Sequence, residues 1–241
     1  MQGMTEDINA AIQNLVKAGV HIGHRPSFRH PRMKPFIFGI RGTVELIDVR
    51  KTAEALEKAK QFLTQLASEQ KTILFVGTKP QMRDVVKTLA VSCGMPYVIR
   101  RWLGGTITNF AVVAKRLEAF RNLEKLLGNP EELEKYTKAE QVRFRRKYEG
   151  LQEEIGGIKE LRKTPDALVL ASIHSEALPA KEARMRNIPT VAIVDSNADP
   201  SLTDYPIFGN DDALSSLTYI LSELAQSIAE GKRKEKEKPK E

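Results

Sequence analysis

A proline-punctuated loop holds the side chains with the clearest chemical use. It groups five basic residues in ten positions: Arg25, Arg29, His30, Arg32 and Lys34. Basic groups bind phosphate oxygens, and the interleaved rings of Phe28, Phe36 and Phe38 can stack on bases that have left a helix. At least one of Phe36 and Phe38 is expected to belong to the core instead. The loop therefore predicts contacts with nucleic acid.

Two turns that follow predicted strands carry further basic residues. Lys79 ends the stretch FVGTK, which precedes a helical pattern, and a helix start favours an anion. Arg100 and Arg101 precede a glycine pair that permits a sharp turn, and guanidinium groups can fork onto phosphate. Neither turn carries the full phosphate-loop or dinucleotide-binding motif, so the sequence does not indicate nucleotide hydrolysis. We predict that all three residues contact RNA.

Positive charge is concentrated in three segments. Residues 17–51 carry eight Lys or Arg against two acidic residues, residues 138–147 five against one, and residues 232–241 six against three. The chain has a net charge of +7, so the remainder is negative. Any single basic run can be a solvated face, but three together indicate a polyanionic partner. The second segment supplies the last predicted RNA contacts: Arg143, Arg145, Arg146 and Lys147.

Catalytic and metal-binding patterns are weaker. His21 and His24 have a spacing that can hold a metal, and carboxylates could join them from Asp195, Asp199, Asp211 or Asp212. No Cys ligand or H-E-x-x-H motif accompanies them, so we predict no metal and no cofactor. Ser172 lacks the turn that presents a serine nucleophile, and Cys93 falls inside a helical pattern. We predict that the protein is not an enzyme, with a metal-dependent phosphoesterase as one alternative.

Strand-like and helix-like patterns alternate along the chain and must position these residues. Short apolar runs predict strands at 44–47, 73–76, 97–99, 167–171 and 191–194. Helical patterns occupy 51–67, 81–91, 176–186 and 212–229. Such alternation is typical of right-handed βαβ units. It predicts an α/β fold with a doubly wound parallel sheet.

About fifty residues from Asn109 interrupt this alternation. Apolar residues recur every three or four positions over 113–127 and again over 144–158, with Gly128-Asn129-Pro130 as a break between them. We predict an inserted α-helical hairpin, a coiled-coil arm, over residues 107–156. The alternative is that both helices pack flat on the sheet. The remaining predicted units are an α/β core domain, residues 5–106 and 157–231, and a disordered basic tail, residues 232–241.

Length and composition limit the protein class. The chain has 241 residues, of which 41% are hydrophobic and 29% charged, which excludes wholesale disorder. A single cysteine cannot form an internal disulfide, so a reducing, cytoplasmic setting is expected. The N-terminus has no signal-peptide pattern, and no apolar run is long enough to span a membrane.

Eight ordered motifs resemble the bacterial small-subunit ribosomal protein two family. They are AGVHIGH at 18–24, MKPFIFG at 33–39, ILFVGTK at 73–79, RWLGGTITNF at 101–110, GGIK at 156–159, PDAL at 165–168, AIVD at 192–195 and GNDDA at 209–213. The resemblance runs in order over nearly the whole chain. The sequence departs from the family pattern at Pro80, where a basic residue is frequent, and at residues 171–173.

The resemblance implies a flavodoxin-like sheet that carries a long helical hairpin. It also implies a structural constituent of the small ribosomal subunit in the cytoplasm, bound to ribosomal RNA and other subunit proteins. Members of the family help to dock the messenger-capturing protein one of the subunit. The alternative is a doubly wound enzyme or sensor that binds a small phosphorylated ligand at the carboxyl ends of the strands.

Overall fold

The strands form two sheets in the computed structural model, which describes residues 2–236. An antiparallel hairpin consists of β1 (Ile37–Arg41) and β2 (Val44–Ile47). A parallel sheet consists of β3 (Ile73–Val76), β4 (Tyr97–Val98), β5 (Ala167–Leu170), β6 (Thr190–Val194) and β7 (Tyr205–Phe208). The order β4-β3-β5-β6-β7 is that of flavodoxin-like sheets, which confirms the predicted doubly wound sheet.

Helices cover both faces of the parallel sheet. They are α1 (Gln2–Lys17), α2 (Val49–Ser68), α3 (Arg83–Ser92), α4 (Phe110–Gly128), α5 (Pro130–Leu133), α6 (Lys138–Ile155), α7 (Ala177–Met185) and α8 (Leu214–Lys236). One core joins α1, α2, α3 and α8 to strand residues such as Phe75. The other joins α4, α6 and α7 to residues such as Leu74. Successive strand side chains point to opposite faces, so the continuous apolar runs supply both cores.

Helices α4 and α6 lie within the predicted insertion and run antiparallel. Phe120 stacks on Tyr148 with ring centroids 5.3 Å apart, and Arg116 Nη2 lies 3.2 Å from Glu154 Oε2. These contacts run in opposite order along the two helices. Phe120 is fully buried near the sheet, whereas the distal part of the pair has no buried residue. The proximal end therefore contributes to the core, and the distal end is largely solvated.

Some elements differ from the sequence predictions. Helix α1 and strand β7 were not predicted from apolar patterns; β7 contains Pro206, which is tolerated in an edge strand. Helix α8 continues to Lys236, into the segment predicted to be disordered. Lys232 Nζ donates to the carbonyls of Cys93 at 2.8 Å and Gly94 at 3.0 Å, which ties this part of α8 to the end of α3. Residues 237–241 of the predicted tail lie outside the described residues.

The small hairpin holds the start of the basic loop beside the main sheet. Gly23 N donates to Glu45 O, and Glu45 N donates to His24 O, both at 2.9 Å, so the chain before the loop pairs with the free edge of β2. A Cβ at Gly23 would lie 2.9 Å from Ser196 Oγ. Glycine therefore permits close approach to the chain that follows β6.

Candidate nucleic-acid interface

Two short 3-10 turns, Pro26–Phe28 and Pro31–Phe36, shape the basic loop. Each begins with proline, whose fixed φ suits a first helical position and whose missing donor is not needed there. His30 precedes the second turn, where its Nδ1 accepts from the backbone N of Arg32 at 3.3 Å. Its own backbone N donates to Ser196 O at 2.8 Å. The loop is thus fixed to the carboxyl edge of the parallel sheet.

The five predicted loop residues divide into anchored and free groups. Arg29 Nη1 lies 3.0 Å from Oε1 of the fully buried Glu45. Arg32 Nη1 lies 2.7 Å from Asp199 Oδ2, and His30 Nε2 is 3.9 Å from the same oxygen. Two residues are exposed and form no ion pair within residues 10–234, whose side chains the structure describes: Arg25 and Lys34. The anchored group orients the loop, and the free pair offers positive charge to solvent.

Lys79 is engaged inside the protein. Its Nζ lies 3.1 Å from Asp211 Oδ1 and 2.9 Å from Asp212 Oδ1. Burial opposes its charge, but the hydrogen bonds and charges of these two aspartates outweigh burial and raise the pKa of Lys79. The neighbouring Thr78 N donates to Glu176 Oε1 at 2.7 Å. Both the cation and a backbone donor of this turn are therefore already satisfied, which gives no support to a phosphorylated small ligand here.

A polar cluster surrounds Lys79 at the carboxyl ends of the strands. His24 Nδ1 lies 3.2 Å from Oδ1 of the buried Asp195, and Nε2 lies 3.2 Å from Asp212 Oδ2. The hydrogen bond to Asp195 is the largest cause that raises the pKa of His24. His21 does not join it, and burial followed by the charge of Arg41 lowers the pKa of His21. Among the described residues, no group of three or more histidines, cysteines and carboxylates is arranged to hold a metal ion.

Arg100 and Arg101 flank the turn after β4. Arg100 Nη2 lies 3.4 Å from Glu153 Oε2 on α6, and both side chains are exposed. Arg101 is exposed and forms no ion pair in the part of the chain that the structure describes. The pair therefore links the sheet to α6 on one side and leaves one guanidinium open to solvent on the other.

Glu182, to which no sequence motif points, organises the turn that follows. This buried carboxylate accepts hydrogen bonds from Trp102 Nε1 (2.9 Å), Gly105 N (2.9 Å), Ile107 N (3.1 Å), Thr108 N (3.2 Å) and Thr108 Oγ1 (3.1 Å). Burial opposes the charge of Glu182, but these donors outweigh it and lower its pKa. Its position beside Ala180 and Ala183 on the buried face of α7 was the available signal, because a carboxylate on such a face needs partners.

The four basic residues of α6 that are predicted to contact RNA are solvent-exposed. A capping box of Thr137 and Glu140 starts this helix, with Glu140 Oε2 2.9 Å from the backbone N of Thr137. Arg143, Arg146 and Lys147 are spaced by three and four positions and therefore share one face of α6. Arg145 lies off that face. None of the four forms an ion pair with the described side chains of residues 10–234: Arg143, Arg145, Arg146 and Lys147. The structure thus keeps this charge apart from the acidic residues of the core.

Ser172 and Cys93, the two candidate nucleophiles, lie in surroundings typical of structural residues. The Ser172 hydroxyl donates to the Asp211 carboxylate, and both residues are buried. Burial raises the pKa of the Cys93 thiol to about 11, so little thiolate forms near neutral pH. Neither residue has the features of an activated nucleophile.

The family model described as "Ribosomal protein S2" matches residues 15–231. The chain belongs to the ribosomal protein S2 family. Two proteins named small ribosomal subunit protein uS2 are similar over 92% of this chain. The one from Acidobacterium capsulatum is 40% identical, with 74% of its length covered, and the one from Nitratiruptor sp. is 41% identical, with 82% covered.

Membership in the S2 family gives the chain a structural, non-enzymatic role in the small ribosomal subunit. It confirms the resemblance carried by the eight sequence motifs. No helix within residues 2–236 is both long and apolar enough to cross a membrane. The roles of the individual basic residues stay predictions.

Proposed function

We propose that the chain binds ribosomal RNA of the small subunit through three basic surfaces: the loop at 25–34, the Arg100–Arg101 turn and the exposed face of α6. One observation carries this proposal. Seven of the twelve predicted contact residues are exposed and have no ion-pair partner among the described residues: Arg25, Lys34, Arg101, Arg143, Arg145, Arg146 and Lys147. The chain has 31 acidic residues, so lack of acid does not explain this.

Uncompensated surface cations suit a phosphate backbone. Each cation that neutralises a phosphate releases condensed counterions, which favours binding and makes the affinity depend on salt. Arginine adds a planar fork that matches two phosphate oxygens. By this reasoning Lys79 ranks last among the predicted contacts, because two aspartates already neutralise it.

The salt dependence of binding tests the α6 surface. The variant Arg143→Gln, Arg146→Gln, Lys147→Gln removes three charges from one helix face. The slope of log affinity for small-subunit RNA against log salt should fall by about 2–3, at roughly 0.7–0.9 for each phosphate that is no longer neutralised. A matched control removes three exposed lysines from other helices: Lys58→Gln, Lys87→Gln and Lys181→Gln. Equal slopes for the two triple variants would remove α6 from the interface.

We also propose that the chain helps to dock the messenger-capturing protein one of the subunit. Family resemblance supports this role. Small subunits reconstituted with and without the chain would be washed, and retained protein one would be quantified. Loss of protein one only from subunits that lack the chain is the expected result, and equal retention contradicts it.

A further inference from the structure

The outer face of strand β1 exposes large apolar side chains. Phe38 is 78% exposed and Ile40 is 59% exposed, while Ile37, which precedes them, is partly buried against the core. Of the nine phenylalanines in the chain, only Phe28 and Phe38 are more than half exposed. Phe36, by contrast, stacks on Phe208 with centroids 3.8 Å apart. At least one of these two rings was expected in the core: Phe36 packs inside and Phe38 faces solvent.

Backbone geometry directs Phe38 outward. Ile37 pairs with Ile47 and Gly39 with Leu46, so β1 contains one extra residue, Phe38, at a β-bulge. Bulges re-aim side chains and are enriched beside functional sites. The exposed ring is therefore a consequence of the strand register and contributes little to the core.

A second exposed ring lies on the adjoining turn. Arg29, the residue after Phe28, is ion-paired to Glu45, and Glu45 lies directly opposite Ile40 in the hairpin. Directly opposed residues of antiparallel strands share a face. The ion pair therefore ties the turn that carries Phe28 to the hairpin that carries Ile40. We call Phe28, Phe38 and Ile40 the aromatic face.

The chain segment that carries the aromatic face has exposed charge of one sign. No Asp or Glu occurs between residues 7 and 45, and Glu45 is fully buried. Three exposed cations flank the face without an ion-pair partner among the described residues: Arg25, Lys34 and Arg41. Arg41 is three residues beyond Phe38 on the same strand, within roughly 10 Å along the backbone. Exposed rings bordered by cations match the binding of single-stranded nucleic acid.

We propose that the aromatic face stacks on unpaired bases of a single-stranded RNA segment, while the flanking cations contact its phosphates. This proposal rests on the proposed function and specifies the form of RNA that the surface takes. A base within a duplex keeps its faces covered by its neighbours, so Phe38 cannot stack on it without unstacking the helix. The aromatic face should therefore discriminate between single-stranded and duplex RNA.

The test compares the full chain on two probes: a short single-stranded RNA of mixed sequence and a duplex of the same length. Phe38→Ala should weaken single-strand binding by about 5- to 100-fold and leave duplex binding and the salt slope unchanged. Phe38→Trp should retain binding, whereas Phe38→Leu should behave as Phe38→Ala because it keeps apolar area but loses the ring. Met185→Ala, a change at a 73% exposed residue of α7, serves as control.

The outcomes separate the two proposals. Unchanged single-strand affinity in Phe38→Ala overturns base stacking, although the charged surfaces can still bind RNA. If Phe38→Leu supports incorporation into small subunits and Phe38→Ala does not, the face docks on protein, and base stacking is again overturned. If the unaltered chain binds neither RNA probe and does not associate with small subunits, the proposed function itself fails. Thermal unfolding of each variant confirms that it is folded, as expected for an exposed side chain.

Discussion

Replacing Glu182 with glutamine exchanges one carboxylate oxygen for an NH2 group. A hydrogen-bond acceptor is thereby replaced by a donor. Oε1 accepts from Trp102 and Gly105, and Oε2 accepts from Ile107 and Thr108. A glutamine side chain has one acceptor oxygen and one NH2 group that only donates. Whichever way the amide turns, its NH2 faces at least two fixed N–H donors.

The expected destabilisation follows from this count. A buried donor left without an acceptor costs about 1–3 kcal/mol, so two donors cost about 2–6 kcal/mol in the free energy of unfolding. Domains of ordinary stability have a free energy of unfolding of about 5–15 kcal/mol. The expected loss is a large fraction of that free energy. The damage should be centred on the turn that follows Arg100 and Arg101, because Glu182 holds that turn.

Urea unfolding measures the free energy, and fluorescence reports where the change occurs. Trp102 is the only tryptophan in the chain, and its Nε1 donates directly to Glu182. Its emission in the folded variant should therefore shift to the red as the indole gains contact with water. Affinity for RNA should also fall if Arg101 needs an ordered turn.

Glu176→Gln is the matched control, because both glutamates are buried. Only Oε1 of Glu176 accepts from Thr78, so an amide can keep both bonds. Burial raises the pKa of Glu176, so its charge costs stability above the raised pKa, and glutamine removes that cost. Glu176→Gln should leave stability unchanged or raise it. Equal effects of the two substitutions, or a loss below about 0.5 kcal/mol for Glu182→Gln, would refute the reasoning.

Three further predictions concern other contacts. The hydrogen bond to Asp195 raises the pKa of His24 above 6.5, so its stabilisation is present below that pH and is lost as pH rises through the raised pKa. His24→Gln should therefore lower the free energy of unfolding more in acid than in mild alkali, as measured by urea unfolding, and a pH-independent loss contradicts this. Gly157→Ala should cost about 1–3 kcal/mol, because its Cβ would collide with the carbonyl oxygen of Tyr97. Gly150→Ala, in open space on α6, should raise the free energy of unfolding by about 0.5–1 kcal/mol. A change of the same sign in the free energy of unfolding for both glycine substitutions would refute the packing argument. Lys232→Met should lower the free energy of unfolding by about 1 kcal/mol and speed amide hydrogen exchange at the end of α8. Unchanged exchange would show that the two hydrogen bonds to carbonyls do not stabilise this end of the helix.

The sequence predicted the central sheet well because its strands are continuous apolar runs. Residues 73–76 and 167–170 are fully buried in parallel strands, the environment that such runs indicate. Strand β7 was not predicted, because Pro206 interrupts its sequence and its first half is only partly buried. It therefore lacks a continuous apolar run. Helix α8 continued past the predicted end because Lys232 finds carbonyl partners from a distant helix. No local pattern can reveal such a partner.

The basic residues could be selected from sequence, but their division into anchored and free groups could not. Arg32 meets Asp199, and Lys79 meets Asp211, across more than 130 positions of the chain. Charge counts treat all of these cations alike. Only tertiary structure shows which of them remain open to a partner. The exposure of Phe38 likewise depends on a register shift that composition does not predict.

Several residues that hold the basic loop lie far downstream of it in the chain and are therefore synthesised much later than the loop itself. His30 N donates to Ser196 O, Arg32 pairs with Asp199, and Asn210 Nδ2 donates to Ile22 O at 2.6 Å. A growing chain emerges from its N-terminus, so the loop waits for about 170 further residues before it can take its shape. Contacts of such long sequence separation form late and slowly. A nascent chain therefore carries the loop's cations without their final arrangement, and shape-dependent recognition of RNA begins only after these downstream residues have been synthesised.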